Sequence, residues 1–549
     1  MNPAKEGRCG NSNLQKVLFA SQGKLNIVHL ARINVWYGRN MCYFCCFSPE
    51  LFARLDVYYY LCTHINSTST YFMEHIIGRT SEIQQLESLA TSGRAEFVAL
   101  YGRRRVGKTF LINSVFEEQF AFRMTGVIDG TLEDQFTAFE DAMDDYGYEM
   151  PENPKNWMAA FVMLKNALSK VADKNEKCVI FIDELPALDE GGSNIANAVG
   201  YFWNSWASLH DNITLIICGS ATSWMIDNVI DSHGGLHDRL TEEMHIHPFQ
   251  LIEVEEYLDA HGFLWNRQMI LQAYMVFGGI PYYLSLLNKK ESVVQNIDRL
   301  FFSQDVKMRR EYKRLMKTLY KNPMRYIEII KALSKTRAGM TREQIAKELG
   351  GANNGHLGEK LENLCYCDLV RKNVVREKQI KKNGAIYQLS DFFCLFYLTF
   401  IDRAETERNY WSHHINTSEV NSWMGLAYER VCIAHVEEIK RSLRIDAIST
   451  LCYSWRSKES TPAAQIDIVI ERADRIVNIC EVKYSNDEYN LDKEEYTKLS
   501  RRLSTFVNET GLRHAPWLTM ITTEGLAPGK YTGMIQSVIM LDDLFVRSL

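Results

Sequence analysis

The chain has 549 residues, 46% hydrophobic and 24% charged. That length exceeds what one core can organise, so three or four domains are expected, and the balance excludes a disordered or fibrous chain. A net charge of −6 excludes a global pull toward nucleic acid and leaves that task to local basic surface. The longest apolar run, residues 392–401, is too short to span a bilayer. No signal-peptide pattern opens the chain, and thirteen scattered cysteines read as reduced thiols, so a cytoplasmic protein with no membrane partner is expected.

Residues 1–72 hold five of the cysteines without sustained period-2 or period-3.6 patterning, and read as a poorly ordered extension. Cys42, Cys45 and Cys46 would need Cys62 and His64 to complete a zinc site. Met73, just before the first well-patterned segment, is an alternative start. Residues 73–97 then place Gly78-Arg79 before a helix carrying Ile83, Leu86 and Leu89 at helical spacing.

The strongest signal follows. EFVALY (96–101) is a β-prone run, and GRRRVGKT (102–109) fits G-x-x-x-x-G-K-[ST] without a mismatch before a helical segment. Strand, glycine loop and helix is the context that a phosphate-binding loop requires. Backbone N–H groups from Gly102, Arg103, Arg104, Arg105, Val106 and Gly107 and the new helix N-terminus cradle a nucleoside triphosphate, Lys108 reaches the outer phosphates, and the Thr109 hydroxyl ligates Mg²⁺. KCVIFIDELPALDE (177–190) is a strand apolar on both faces that ends in two acids. Asp183 there holds the Mg²⁺ shell, and Glu184 orients or deprotonates the attacking water. ITLIICGS (213–220) is a third such strand, ending in Ser220, where a helix cap is an alternative role. His245 and His247 alternate on a short later strand and read as packing residues rather than metal ligands. FGGIPYYLSLL (277–287) breaks a helix at Gly278, Gly279 and Pro281.

In that order, GRTSEI, GRRRVGKT, FIDELP, CGS and GGIP resemble the archaeal-type ATPase family, a AAA+/STAND-related group, across residues 76–284. The resemblance implies ATP and Mg²⁺. It implies further that Gly78 and Arg79 lie on the adenine side and that Ser220 senses the γ-phosphate. Arg239 becomes a candidate arginine contact to the phosphates, in cis or from a neighbouring subunit, and Pro281 lies against the nucleotide.

Residues 301–321 form a basic helix that reads as a solvated face. Between 324 and 389, three short helices precede a basic hairpin, the order of a winged helix-turn-helix. Asn353, Asn354, His356 and Lys360 would face the groove of bound DNA, with Arg371, Lys372, Arg376, Lys378, Lys381 and Lys382 on the wing. In ATPases of this kind such a domain also serves as a lid on the nucleotide domain. Cys365 and Cys367 read as core positions.

In AQIDIVIERADRIVNICEVKYS (464–485), two β-rich runs flank a short polar link, a hairpin pattern. Asp467 and Glu481 are equidistant from position 474 and so oppose each other, with Cβ atoms about 5 Å apart. Lys483 points to the same face. Two acids that hold Mg²⁺ and a lysine that stabilises developing charge are what metal-dependent phosphodiester cleavage needs. The spacing resembles the PD-(D/E)xK restriction-endonuclease-like fold, with Glu429 as the helix glutamate that completes its metal site and Gln465-Ile466 where a proline often stands. Trp455 and Arg456 would line the groove.

The expected fold is therefore α/β: an extension (1–72), a P-loop NTPase core with an AAA+-like parallel sheet (73–250), a helical lid and basic connector (251–322), a winged helix (323–400) and a restriction-endonuclease-like domain (401–549). The function expected is an ATP-hydrolysing, ATP-regulated and Mg²⁺-dependent DNA nuclease, with room for an oligomer. A STAND-like switch and a DNA-binding regulator with a non-cleaving C-terminal domain are the alternatives.

Overall fold

Three runs of apolar and β-branched residues near the start of the chain pair with one another rather than remaining irregular. β1 (Leu14–Ser21), β2 (Lys24–Tyr37) and β3 (Asn40–Cys46) form an antiparallel sheet in that order, with Leu14 opposite Ala31 and Ala31 opposite Cys46. Consecutive apolar residues such as Val17–Ala20 hide the alternation by which strands are usually recognised. The computed structural model describes residues 14–21, 24–37, 40–46 and 76–547, apart from 117–118, 173–176, 232–235, 237, 304–306, 321, 352–354, 374–384, 403–406 and 458–463. The side chains of Cys42, Cys45 and Cys46, and all of Cys62, His64 and Met73, lie outside the described residues, as do Asn353, Asn354, Arg376, Lys378, Lys381 and Lys382. The chain divides into two units, Met1–Glu74 and His75–Leu549.

The second unit begins with an α/β layer. β4 (Glu96–Tyr101), β5 (Phe120–Thr125), β6 (Cys178–Asp183), β7 (Ile213–Gly219) and β8 (Glu242–His245) form one parallel sheet in the order β5-β6-β7-β4-β8. β6 and β7 are buried along their whole length, as helices on both faces of a parallel sheet require. Phe97, Phe122, Trp157, Leu164, Ile180 and Phe202 pack in its core. The carboxyl ends of β4, β6 and β7 fall on one edge, which brings Gly102, Asp183 and Ser220 together, the edge at which open α/β sheets bind ligands.

Helices Leu251–Ala260, Arg267–Phe277, Val293–Phe301 and Lys307–Leu319 follow. The last is the basic segment expected to be a solvated face. It exposes its charges on one side only: Met308, Tyr312, Leu315, Met316 and Leu319 form a buried stripe at helical spacing, and Glu311 is buried among them.

Residues 324–389 run helix Met324–Ser334, β9 (Met340–Thr341), helices Arg342–Glu348 and Gly355–Tyr366, then β10 (Val370–Asn373) and β11 (Ile386–Leu389). The strands form a small antiparallel sheet in the order β10-β11-β9. Helix Gly355–Tyr366 packs on Thr222–Met225 beside the parallel sheet. The apolar run at 392–401 is a buried helical segment, and no described helix is long and apolar enough to cross a membrane.

The last part of the unit sets helix Ser418–Ala434 against a five-stranded sheet, β12 (Thr450–Arg456), β13 (Gln465–Arg472), β14 (Ile476–Lys483), β15 (Ala515–Thr522) and β16 (Ile535–Ile539), in sequential order. β12 to β14 are antiparallel; β14, β15 and β16 are parallel, with helix Lys493–Thr510 crossing between β14 and β15. Ile468 pairs with Cys480, so the same register carries Asp467 and Glu481 to adjoining places at the end of the ladder. Trp455 does not line a groove. It is buried, with its ring edge-on to Phe506 at 5.1 Å between centroids; the aromatic ring sits in the core because β12 faces helix Lys493–Thr510 there, while Arg456 on the opposite face is exposed.

Candidate functional site

The phosphate loop is built from a glycine that nothing else could replace. Gly102 leaves β4 with φ +139°, and a Cβ there would stand 2.4 Å from the Ile246 carbonyl oxygen beyond β8. The chain then turns through Arg105 (φ 75°) and Gly107 (φ 94°) into helix Lys108–Phe116. Lys108 is buried and donates to the carbonyls of Gly102 at 2.8 Å and Arg103 at 3.1 Å, so its ammonium is held over the mouth of the loop. Thr109 Oγ1 donates to Asp183 Oδ2 at 2.7 Å. The two groups expected to hold Mg²⁺ thus already face each other, and their hydroxyl and carboxylate oxygens form the oxygen donor set that a hard cation takes.

Glu184 sits at φ 49°, a left-handed turn that swings its side chain off the end of β6. Its Oε2 accepts from the Ser220 hydroxyl at 2.8 Å and the Ser220 N–H at 3.1 Å. The Ser220 hydroxyl therefore fixes Glu184 rather than capping a helix. Arg79, also left-handed (φ 60°), is 6% exposed and donates to the carbonyls of Val106 at 3.1 Å and His247 at 2.6 Å, with its guanidinium 4.7 Å from the Phe249 ring. It braces the phosphate loop from behind. Gly78 beside it lines a small recess with Gln250 and Glu253. Arg239 lies exposed on the turn before β8.

Pro281 opens the short helix Pro281–Leu284. The preceding Gly279 lies so close to Phe249 that a Cβ would meet its carbonyl oxygen at 1.8 Å, which presses the GGIP segment onto 248–249. A cavity of about 530 Å³ opens there, lined by Pro248, Gly279, Ile280, Asp368, Arg371 and Asp391 among others, a volume within the range of small-molecule sites.

The three loop arginines point away from this mouth, and each has a partner far along the chain. Arg103 is fully buried and ion-paired with Asp391. Arg104 donates to Thr318 Oγ1 at 2.8 Å. Arg105 pairs with Glu311, Nε to Oε1 at 2.6 Å, and its guanidinium covers the Tyr282 ring at 3.7 Å. The phosphate loop is thereby fastened to helix Lys307–Leu319 and to the start of helix Phe392–Phe396.

A second cluster forms where helix Ser418–Ala434 meets β13 and β14. Glu429, 1% exposed, accepts from Arg337 Nε at 2.7 Å and from the same guanidinium's Nη2. Its other oxygen, Oε1, is buried without a hydrogen-bond donor among the described residues. Burial, together with the neighbouring Asp467 carboxylate, outweighs Arg337 and pushes the Glu429 carboxyl up to about 8. Asp467 Oδ1 accepts from Gln465 Nε2 at 2.5 Å. Glu481 turns toward two other cations: Lys483 Nζ at 3.1 Å and Arg502. Lys483 also reaches Glu495 at 2.9 Å; burial opposes its charge, but Glu481 and Glu495 prevail and raise its pKa. The field of Arg337 spans all three acids, since Glu429, Asp467 and Glu481 each favour its charged form against burial. The acid–acid–lysine set and the helix glutamate are therefore one neighbourhood, subdivided by basic residues that no local sequence pattern marks.

His245 and His247, expected to be packing residues, meet Asp368 at 3.3 and 3.1 Å. Burial opposes the Asp368 charge, but hydrogen bonds from the two histidines outweigh it and hold the carboxyl near 2; in return the His247 pKa is raised against burial. The ligand-type atoms of the three lie within 4.8 Å of one another, and mutual ion pairing accounts for the arrangement. Arg337, Asp391, Glu311, Asp368 and Arg502 are the site residues that sequence reading missed. The only hint was three consecutive arginines in a loop that binds phosphate through its backbone.

Residues 76–287 match the family described as an ATPase domain predominantly from Archaea. An uncharacterized protein of Methanocaldococcus jannaschii is 24% identical over 436 residues, covering 78% of this chain and 91% of that protein. Among solved structures, a Walker-type ATPase of Pyrococcus abyssi aligns with a TM-score of 0.42 at 17% identity, over 59% of this chain and 96% of that one. The ORC2 protein of Aeropyrum pernix aligns with a TM-score of 0.35 at 14% identity, over 60% and 95%. The family match, with the phosphate loop and the parallel sheet already described, makes residues 76–287 a P-loop ATPase domain; residues 288–549 lie outside the match.

Proposed function

We propose that the chain is an ATP-hydrolysing regulator of its own C-terminal acid pocket, and that the pocket is a divalent-metal-dependent DNA nuclease site. Glu429 carries this reading: a buried acid beside Asp467, with one oxygen lacking a donor among the described residues, suits a cation. In the ATPase, Lys108 and the loop amides hold the phosphates, Thr109 and Asp183 would hold Mg²⁺, and Glu184 takes the proton of the attacking water once Ser220 releases or redirects it. The cavity beside Gly279 and Pro281 suits the base and ribose, with Gly78 and Arg79 behind it; Arg239 is exposed enough to serve a neighbouring subunit.

In the pocket, Glu429, Asp467 and Glu481 would hold Mg²⁺, which when bound supplies a more acidic water and polarises the phosphate. Lys483, within reach of Glu481, stabilises charge on the phosphate oxygens. The strand order and helix crossover of 418–522 fit the restriction-endonuclease-like fold, and the helix and strand order of 324–389 fits a winged helix able to present DNA. That same 324–401 module touches the phosphate loop through Asp391 and the pocket through Arg337, which makes it the physical route for regulation.

Single- and double-stranded DNA incubated with Mg²⁺, with and without ATP, tests the proposal. Cleavage is expected from the wild type and lost in Asp467→Ala and Lys483→Ala; equal cleavage in all three, or in none, removes it. One observation favours a second reading, an ATP-driven switch that does not cut: Glu481 is already neutralised by Lys483 and Arg502. ATP turnover without cleavage in Mg²⁺ or Mn²⁺ would select that reading.

A further inference from the structure

Arg337 does not belong to the domain whose acids it contacts. It sits in the turn between helix Met324–Ser334 and β9, and reaches across to Glu429 on helix Ser418–Ala434. The turn is held in place by the residue next to Glu429. Arg430 is fully buried and donates to the carbonyls of Leu389 and, at 3.4 Å, Thr336; burial lowers its pKa to about 9. Gln388 Nε2 adds a bond to the Arg337 carbonyl at 2.8 Å. Two adjacent residues of one helix thus divide the work: Arg430 anchors the backbone of the turn, and Glu429 receives its side chain.

We propose that Arg337 is a built-in competitor for the divalent cation of the acid pocket, closing the site until the turn that carries it moves away. The inference rests on reading Glu429, Asp467 and Glu481 as a metal site. A guanidinium and a divalent cation seek the same oxygens, and here the guanidinium fork already holds Glu429 Oε2 while its charge is stabilised by Asp467 and Glu481. The contact is also suited to release. The Arg337 side chain is 58% exposed whereas Glu429 is 1% exposed, so the arginine can swing into water without opening a core, and leaves behind a buried pair of acids whose oxygens are open to a divalent cation.

Mn²⁺ binding to the nucleotide-free, full-length protein, followed by electron paramagnetic resonance and calorimetry, is the test. Arg337→Gln is expected to bind Mn²⁺ about tenfold more tightly than the wild type, the scale of one lost charge-assisted pair. Adding Asp467→Asn should remove that binding in both backgrounds. If wild type and Arg337→Gln bind equally and Asp467 is still required, competition is overturned while the metal pocket stands. If neither shows Asp467-dependent binding, the pocket reading falls and the proposal with it. Should the neutral variant fail to fold, Arg337→Lys keeps the charge but not the fork; a smaller gain in affinity supports the proposal, and no gain overturns it.

Discussion

Replacing Asp391 with alanine tests how the phosphate loop is fastened. The Arg103–Asp391 pair is almost wholly removed from water, with side chains 0% and 5% exposed, and two further Arg103 nitrogens, Nε and Nη2, have no acceptor. Among the described residues Asp391 is the one acid paired with that guanidinium, and its loss leaves a buried cation, a change that costs about 3–5 kcal/mol. Asp391 is also the N-cap of helix Phe392–Phe396, accepting from the Cys394 N–H at 2.8 Å, which adds about 1 kcal/mol. Arg103→Met leaves Asp391 with that cap bond and is the milder change. Combining it with Asp391→Ala removes the stranded charge, so the double variant should be more stable than Asp391→Ala alone. Hydrogen exchange of amides 392–401 reads the local opening free energy, and a loss of about 4–6 kcal/mol appears as exchange faster by roughly 10³–10⁴. The exposed pair Lys335–Glu348, with side chains 61% and 39% exposed, is the control, worth about 0–1 kcal/mol. An Asp391→Ala protein no less stable than Glu348→Ala, or a double variant no better than the single, would refute the reasoning.

In the ATPase, Lys108→Ala should abolish nucleotide binding measured by calorimetry, while Glu184→Gln keeps binding and stops phosphate release; the reverse pattern would mean the two roles are exchanged. Glu429 should cost the fold stability as pH rises in the presence of EDTA. Its folded pKa, about 8, is raised above the usual glutamate value of about 4.5, so the folded state holds the proton more tightly, and stability present below about pH 4.5 is lost as pH climbs through about 8. Glu429→Gln removes that slope, so its melting temperature should gain on the wild type between pH 5 and 9; parallel curves would count against it. The raised His247 pKa gives stability that is full below the unfolded histidine value of about 6.5 and fades as pH rises through the folded one. Asp368→Asn should accordingly destabilise the protein more at pH 5.5 than at pH 9, by thermal melts. On the acid side the Asp368 contribution should persist until pH falls toward about 2.

What was legible in the sequence is what is contiguous in it. A strand, eight loop residues and a helix define the phosphate site within one stretch, and strand ends at Asp183 and Ser220 reach the same sheet edge because parallel strands share a direction. The register of β13 and β14 was readable because a symmetric polar link at 474 admits little slippage once apolar residues flank it. The three-stranded sheet at 14–46 was not, because its runs do not alternate cleanly. Nor were the ionic partners. Glu311 is 206 residues from Arg105 and Glu429 is 92 from Arg337, and a charged side chain has no periodicity that announces which distant charge it will meet.

The three arginines at 103–105 show where such a partner could still be inferred. A loop that binds phosphate through backbone N–H groups leaves its side chains for other purposes, and three adjacent guanidinium groups cannot all be left without acceptors in a crowded sheet edge. Here they engage Asp391, Thr318 and Glu311. A loop that shifts to admit a nucleotide therefore pulls on helix Lys307–Leu319 and on the start of helix Phe392–Phe396. The latter follows directly on β11, whose Gln388 and Leu389 hold the Arg337 turn and the Arg430 guanidinium. From the phosphate loop to the acid pocket, this route consists of buried or part-buried hydrogen bonds joined by the backbone of residues 388–391, so cutting it with the paired change Arg103→Met and Asp391→Ala, which strands no charge, is expected to separate nucleotide binding from any effect on the pocket.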